Sequence, residues 1–311
     1  MLSFLRSSRS RPPHWISVAI HANRIDVAQM EPGTQGRSLL RCESHRVAED
    51  AVQVLANVRR QLGRGEYMCS SLLQPRGYQM QMTDAPAVQA AEMREAVRWK
   101  LRDLLDYPVD QATLDVLHVP PPGQDQGRIH HVFAVTARNT DVASRMRLFH
   151  EARFPLHAID VPEMAQRNVA ALFGQPGRGI AMLSMDTEGG LLTVTRDRDL
   201  FLARRTDIAL PQLQEGPDES REQALDRLVL ELQRTFDHFD RQFSYVSVSR
   251  LLVTPLPALL GHLQANLDLP VEGFDLGEAV DLSAVPALSD PMRKCEYLHL
   301  IGAAMREEAQ A

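Results

Sequence analysis

Two similar hairpin patterns constrain the fold of this 311-residue chain more than any other feature. Residues 15–30 predict two strands around a turn at 21–24, and the second strand has alternating apolar positions. Residues 179–205 predict three strands, the first two of which are joined at 186–190 by a turn with two glycines. The two halves of the chain therefore begin alike. Because a chain of this length can bury two ordinary cores, we expect two lobes.

Helical and strand-like patterns alternate between and after the hairpins, which predicts an α/β protein. The predicted helices span 49–62, 87–105, 139–152, 162–173, 220–239 with Ser220 as its N-cap, 257–267 and 291–307. The further predicted strands span 67–73, 114–119, 129–136, 248–253 and 271–274. The proline run at 120–123 predicts an exposed loop, since proline has no amide to donate to a sheet. The glycine- and proline-containing segment 174–177 predicts a hinge, so the lobe boundary falls near residue 177.

The charge and the cysteine content restrict the compartment and the partners. Acidic residues outnumber Lys and Arg by 40 to 34, and a net charge of −6 gives no general attraction to nucleic acid or anionic lipid. Residues 1–13 carry three arginines but no apolar run of the length that a secretory signal requires. Cys42, Cys69 and Cys295 form no CxxC pair, which fits a reducing compartment. We therefore expect a cytoplasmic protein.

Several segments resemble, in order, stretches of the PilM and MshI family of type IV pilus assembly proteins. The first is E-A-V-R-W-K-L at 95–101, followed by the aromatic-proline junction L-D-Y-P-V-D at 105–110. Residues 154–162 resemble the family's approach to its lobe-crossing helix, and residues 185–205 resemble its second hairpin. The most specific segment is E-L-Q-R-T-F-D-H-F at 231–239, which is similar to a helix often written E-I-Q-R-S-L-D-Y-F.

The likeness runs over residues 14–308 and implies an actin-like, two-lobed α/β fold of the Hsp70, actin and FtsA type. By this resemblance the first lobe is 14–177, with a PilM- and FtsA-type inserted subdomain at about 83–154, and the second lobe is 178–311. The family further implies a cytoplasmic scaffold that binds the tail of a bitopic PilN-type protein and is held at the inner membrane by that partner. Within the family, the MshI proteins of the MSHA pilus system are the most similar.

The resemblance also implies a nucleotide site, of which two of the three loops lack the expected residues. Actin-like ATPases place an acidic residue near the first hairpin turn, where it organises Mg²⁺ through water. Here His21 takes that position, and only Asn23 offers an oxygen ligand. The third loop lets adenosine approach through a glycine pair, but it reads T-P-L-P at 254–257. We therefore expect a pseudo-ATPase with no cofactor and no metal, and ATP binding without turnover stays open.

The second turn retains more of a phosphate loop. Asp186, Thr187, Gly189 and Gly190 supply an acid, a hydroxyl and two small residues whose amides suit phosphate oxygens. Glu188, however, would repel a γ-phosphate. The same residues suit an ordinary hairpin turn, because Asp and Gly are common there for conformational reasons alone. Both interpretations stay open, and the ordinary turn is slightly favoured.

Trp99, Leu101, Leu105 and Tyr107 are the candidate partner-binding residues. By resemblance, the groove for the tail lies between the first lobe and the inserted subdomain. Large aromatic side chains concentrate binding energy in peptide grooves. The alternative for Trp99 is packing in the core, which is the commoner place for an isolated Trp on an amphipathic helix.

Two other functions compete with the scaffold. One is an actin-like ATP-binding switch or weak ATPase, which the altered loops oppose. The other is an FtsA-like filament on the membrane, which calls for an amphipathic C-terminal anchor, whereas residues 296–311 end in an acidic tail. His130 and His131 are predicted to point to opposite faces of a strand and form no metal pair. A homo-oligomer stays open.

Overall fold

The computed structural model describes residues 14–33, 36–48, 50–63, 67–121 and 130–307. Their strands are β1 (His14–Ile20), β2 (Arg24–Gly33), β3 (Gly36–Arg46), β4 (Tyr67–Leu72), β5 (Gln79–Asp84), β6 (Ala112–His118), β7 (His131–Arg138), β8 (Ala158–Asp160), β9 (Gly179–Met185), β10 (Gly190–Arg196), β11 (Asp199–Thr206), β12 (Val248–Val253), β13 (Val271–Gly273) and β14 (Val280–Asp281). Their helices are α1 (Ala51–Leu62), α2 (Met93–Leu101), α3 (Asn139–Glu151), α4 (Pro162–Phe173), α5 (Leu210–Gln214), α6 (Asp218–Gln242), α7 (Pro257–Asn266), α8 (Pro291–Glu296) and α9 (Leu298–Ala304). The expectations for residues 1–13, 49, 122–129 and 308–311 lie outside the described residues.

The first hairpin belongs to a mixed sheet whose described strands lie in the order β14-β3-β2-β1-β4-β8. β1 pairs antiparallel with β2 and parallel with β4. The turn between β1 and β2 is closed by the amide of His21, which donates to the carbonyl of Arg24 at 2.9 Å. Successive residues of β1 face opposite sides. Ile16 and Val18 pack with α1 and α3, and Ala19 faces the centre of the molecule.

The second hairpin forms a similar sheet, in which the described strands lie in the order β11-β10-β9-β12-β13. β9 pairs antiparallel with β10 and parallel with β12. Every residue of β9 is buried, as is typical of a strand with both sheet faces covered. Leu228 of α6 and Leu263 of α7 cover one face, while Ile180 and Met182 face the centre.

A third, antiparallel sheet, in the order β5-β7-β6, lies largely within the predicted inserted subdomain. We call it the inserted sheet. α2 covers one of its faces with Met93, Val97 and Leu101. The opposite face carries Met82 and Phe133, which join the core of the second half of the chain. The inserted sheet is therefore covered by a helix on one side and by the second half of the chain on the other.

Two helices, α4 and α9, cross between the first and second sheets and share one hydrophobic cluster. α4 begins at Pro162, whose fixed φ and missing amide suit the first helical position. The helices approach closely at Gly302, where a Cβ would collide with the backbone carbonyl of Ala165. At the same point, Asn168 Nδ2 donates to the Gly302 carbonyl at 2.9 Å. This close contact fixes the position of α4 relative to α9 between the two sheets.

Both hairpins are confirmed, and so are α3, α4 and β12. The predicted helix 87–105 is too long, because a 3-10 turn precedes α2. The predicted helix 291–307 is broken into α8 and α9 at Tyr297, whose φ and ψ of −96° and 6° leave the helical region. Ser220 is not an N-cap, since α6 begins earlier, directly after Pro217. The strands β3 and β5 have no counterpart in the sequence predictions.

The end of the described chain returns to the first sheet. β14 pairs parallel with β3, and α9 packs against β1 and β2. The first sheet and the helix packed on it thus combine elements from the beginning and the end of the described chain. The lobe ranges 14–177 and 178–311 stay a prediction.

Candidate functional site

A cleft of about 640 Å³ opens between the first and second sheets. Its walls include His21 and Arg24 from the first hairpin turn and residues 186–188 from the second. Further lining comes from the loop after β4, from the region of α8 and α9, and from single residues such as Asp26, Pro162 and Arg205. Both turns that were singled out in the sequence therefore meet at one opening, which is the position at which the resemblance implies a nucleotide.

Asp26 is the carboxylate of the first turn that the sequence reasoning missed. It is 3% exposed, and its Oδ2 lies 2.9 Å from His21 Nε2 and 2.9 Å from Arg24 Nε. Burial alone would raise its pKa, but hydrogen bonds from His21 and Ser44 and the charge of Arg24 outweigh burial and lower the pKa. Arg24 also reaches Glu296, at 3.0 Å. The carboxylate is therefore ionised and already neutralised by its own neighbours.

The second turn uses its acid to bind its own backbone. Asp186 Oδ1 accepts hydrogen bonds from the amides of Glu188, at 2.7 Å, and Gly189, at 3.0 Å. Gly189 has a φ of 154°, which favours glycine, and a Cβ there would collide with the carbonyl of Thr206. Thr187 is exposed at the cleft. The two amides that would suit a phosphate oxygen are thus engaged by Asp186.

Gly190 is required by close packing at the start of β10. A Cβ there would lie 2.7 Å from Met185 Sδ and 2.7 Å from Thr206 Cγ2, distances at which a neighbour would have to move. Asp186, Gly189 and Gly190 therefore have local structural roles in the hairpin. A residual phosphate-loop role for Asp186, Thr187, Gly189 and Gly190 stays a prediction.

The third loop is tied to the neighbouring strand rather than open to the cleft. Thr254 is buried, and its Oγ1 accepts a hydrogen bond from the amide of Met185 at 3.1 Å. The amide of Thr254 donates to the carbonyl of Leu183 at 3.1 Å. Three residues later the chain enters α7 at Pro257. Among the described residues that line the cleft, none comes from 254–257.

An ion pair with a shared tyrosine lies beside the cleft and was not foreseen from the sequence. Arg205 Nη2 lies 2.9 Å from Glu163 Oε1 and donates to the hydroxyl oxygen of Tyr78 at 2.7 Å. Tyr78 in turn donates to the other carboxylate oxygen of Glu163. Burial and the Glu163 charge raise the pKa of Tyr78, so its hydroxyl stays protonated. The cluster joins the loop after β4, the start of α4 and the end of β11.

A neutral polar network lies under the cleft. Gln166 Nε2 donates to the carbonyls of Met182, at 2.8 Å, and Leu191, at 3.0 Å, which fixes the orientation of its amide. Its Oε1 accepts from Ser184 at 2.6 Å and lies 3.0 Å from His299 Nε2. Burial lowers the pKa of His299 to about 3, so the imidazole is neutral. Ser184 Oγ also lies 3.1 Å from His299 Nε2, but its proton is donated to Gln166, so this group is a structural network and not an activated nucleophile.

The lining of the cleft carries more acidic side chains than arginines. Its acids are Asp26, Asp186, Glu188, Asp290 and Glu296, and its arginines are Arg24, Arg205 and Arg293. An excess of acid over base repels a polyanion unless a metal ion compensates. Within the described ranges, no group of three or more His, Cys, Asp or Glu side chains is placed to hold a metal ion.

The architecture matches solved structures, although no protein-family model and no curated protein matches the sequence. A chain of the PilM–PilN type IV pilus biogenesis complex is 18% identical, with a TM-score of 0.73 over 94% of this chain and 97% of that chain. The fold is actin-like, of the PilM type. The fold class expected from the sequence is confirmed.

Two further solved structures align over most of this chain at lower similarity. The cytoplasmic domain of EpsL, an inner-membrane component of the Vibrio cholerae type II secretion system, is 12% identical, with a TM-score of 0.49 over 95% of this chain and 96% of that chain. A Bacteroides thetaiotaomicron protein with an actin-like ATPase fold and unknown function is 10% identical, with a TM-score of 0.49 over 93% and 99%.

The four candidate partner-binding residues of this protein, Trp99, Leu101, Leu105 and Tyr107, do not share one surface. Trp99 is 64% exposed, and the guanidinium of Arg102 lies 5.9 Å from the centre of its ring. Leu101, the last residue of α2, is buried against the inserted sheet, and Leu105 is partly buried in the same cluster. Tyr107 is buried, and the guanidinium of Arg138 lies 4.1 Å from the centre of its ring. The core alternative for Trp99 is therefore wrong. Of the four residues, Trp99 offers the largest accessible apolar surface.

An exposed leucine follows Trp99 in the sequence. Leu104 follows α2 and is 56% exposed.

In the part of the chain that the structure describes, no helix combines the length and the apolar character that crossing a membrane requires.

Proposed function

We propose that this protein is a scaffold of a type IV pilus assembly platform that binds the cytoplasmic tail of a PilN-type inner-membrane protein. The observation that carries the proposal is the PilM-type fold over nearly the whole chain, because the matched structure is a PilM–PilN complex. A protein with this role works in the cytoplasm and stays peripheral at the inner membrane through its partner. Fold likeness supports this role by analogy, so the role needs a direct binding test.

The pilus type is a finer part of the proposal. The resemblance of the chain as a whole to the MshI proteins favours an MSHA-like pilus. The partner is then the PilN counterpart of that system. A homo-oligomer is compatible with this role.

We propose further that the cleft does not hydrolyse ATP. Three contacts support this. Asp26 Oδ2 is held by His21 and Arg24, the amides of the second turn are bound by Asp186, and the third loop is tied to β9 through Thr254. These contacts occupy Asp26 Oδ2, two amides of the second turn and the Thr254 hydroxyl, which leaves fewer groups to orient a metal ion or a phosphate. The protein is therefore proposed to be a pseudo-ATPase without a cofactor.

An ATP-binding switch is the second candidate, and the size of the cleft favours it. About 640 Å³ lies in the range of small-molecule sites, and Thr187 is exposed at its edge. Isothermal titration calorimetry with ATP and Mg²⁺ separates the two candidates. The scaffold proposal expects no binding at micromolar ATP, and a micromolar dissociation constant would favour the switch.

The scaffold is tested by direct binding of cytoplasmic tails. Synthetic tails of the bitopic pilus proteins encoded near this protein, each with a scrambled control, are immobilised and probed by biolayer interferometry. One native tail is expected to bind and its scrambled version is not. Trp99→Ala is expected to weaken binding about tenfold, the effect of a hot-spot aromatic. Leu230→Ala, at an exposed leucine of α6, is the matched control. Failure of every native tail would remove the scaffold proposal.

A further inference from the structure

The inserted sheet packs one face into the second half of the chain. The strand register places Met82 opposite Phe133 and Phe133 opposite Leu117, so the three side chains form a row on one face of the sheet. This row belongs to the same hydrophobic cluster as the core of the second half. The aromatic members of that core are Phe201, Phe239 and Phe243. A surface formed before residue 177 is thus buried by residues beyond it.

Directional contacts accompany this packing. The Tyr245 hydroxyl donates to the carbonyl of Pro120 at 2.9 Å. The ring of His131 meets the ring of Phe243 edge-on, with centroids 5.6 Å apart and planes at 73°. Gln242 Nε2 lies 3.4 Å from His131 Nε2. Hydrogen bonds and ring contacts of fixed geometry add directional resistance to sliding between the packed surfaces.

The aromatic residues on the far side of this contact are themselves held. The centroids of Phe239 and Phe243 lie 5.2 Å apart, and those of Phe201 and Phe243 lie 5.8 Å apart. The guanidinium of Arg196 lies 4.8 Å from the centre of the Phe201 ring. Phe133 and Phe243 are 3% and 1% exposed. Separating the inserted sheet from this cluster would expose several aromatic side chains to water at once.

This contact is distinct from the crossing of α4 and α9. The crossing belongs to a different hydrophobic cluster, which includes Ala165 and Ile301. Two bodies that touch at one patch can rotate about it. Two bodies that touch at two separate patches cannot rotate without breaking one of them, because packed interfaces do not deform continuously.

We propose that the inserted sheet clamps the two halves of the molecule at one fixed angle. The cleft between the first and second sheets then neither opens nor closes when a small molecule enters it. Surfaces on both halves act as one rigid platform for a partner. This inference does not depend on which pilus protein the platform binds.

The test is a distance measurement across the molecule by double electron–electron resonance. Spin labels on non-canonical amino acids at Gln61, at the end of α1, and at Ala265, on α7, leave the native cysteines unlabelled; both positions are exposed. The full chain is expected to give one narrow distance distribution. That distribution is expected to be the same with and without millimolar Mg²⁺-ATP.

Two variants weaken the clamp to different degrees. Phe133→Ala removes the centre of the row, and the milder double variant Met82→Ser with Tyr245→Phe removes its edge and one hydrogen bond. Circular dichroism confirms that each variant is folded. About a twofold broader distance distribution is expected in both, as for a released hinge. Leu114→Ala is the matched control, because Leu114 lies on the opposite, α2-covered face of the same sheet. It is expected to keep the distribution narrow.

Specific outcomes would overturn the clamp. A broad or two-peaked distribution in the unaltered chain would do so, as would a shift on adding Mg²⁺-ATP. An unchanged narrow distribution in a folded clamp variant would assign the rigidity to another contact, such as the α4–α9 crossing, and would also overturn it.

Discussion

Arg205 and Glu163 form an ion pair between the two halves of the chain, with Nη2 2.9 Å from Oε1. The Glu163 side chain is 4% exposed and also accepts a hydrogen bond from Tyr78. We expect Glu163→Gln to lower the free energy of unfolding by about 3 kcal/mol, because it leaves the arginine without its counter-charge. Urea unfolding measures this loss.

The matched control for the ion pair is an exposed one. Arg94 and Asp115 lie 3.2 Å apart with side chains 65% and 68% exposed. Asp115→Asn is expected to change stability by less than about 1 kcal/mol. An equal effect of the two substitutions would show that burial does not strengthen the Arg205–Glu163 pair.

Gly302→Ala is expected to destabilise the protein by more than about 3 kcal/mol or to prevent folding. A methyl group there collides with the backbone carbonyl of Ala165, and neither helix has a flexible side chain to move away. The control is Gly261→Ala in α7, where no heavy atom lies within 4 Å. That change should stabilise the helix by up to about 1 kcal/mol. Thermal unfolding compares the two, and tolerance of Gly302→Ala would contradict the close crossing.

Asp186→Ala tests the turn interpretation of the second hairpin. Loss of the carboxylate leaves the amides of Glu188 and Gly189 without their acceptor, which should lower stability by about 1–2 kcal/mol. Differential scanning calorimetry measures the loss, and Asp268→Ala, at an exposed acid, is the control. ATP binding, measured by titration calorimetry, is expected not to appear when the amides are freed. Its appearance would assign the turn to a phosphate loop.

His299 should make the protein less stable as the pH falls. Its pKa is about 3 in the folded chain against 6.5 for a free histidine, so the unfolded chain binds a proton between these values and the folded chain does not. Stability is therefore complete above about pH 6.5 and declines below it, by up to about 1.4 kcal/mol per pH unit. Urea unfolding at several pH values should show a weaker decline for His299→Gln. His238→Gln, at an exposed histidine of α6, should keep the decline of the unaltered chain.

The elements that local pattern specifies were predictable. β9 is apolar throughout, and α4 begins at a proline, which marks a helix start. β3 and β5 escaped prediction because polar residues recur through both, and their partners are what make them strands. The break between two helices at Tyr297 also escaped prediction. Nothing in the local apolar pattern separates α8 from α9.

The site was predictable only in part. The two turns are visible in the sequence, because His21 and the 186–190 segment end recognisable strands. Asp26 stands at a polar position of an alternating strand, which predicts an exposed side chain, so its burial beside His21 and Arg24 could not be read from the sequence. Glu163 and Arg205 are 42 residues apart, and no spacing rule connects them. Trp99 was misjudged as the better core candidate because helical periodicity does not say which helix face a neighbouring sheet will cover.

By itself, the sequence determined the two hairpins, most helices and the likeness to a PilM-type fold, because these depend on residue order over short distances. Tertiary structure alone decided that Asp186 binds its own turn, that Asp26 is neutralised by its neighbours, and that the inserted sheet packs against the second half. These outcomes depend on which distant side chains share a buried space. In that space an uncompensated charge or an uncovered aromatic ring is costly, so the partners are chosen by the whole fold.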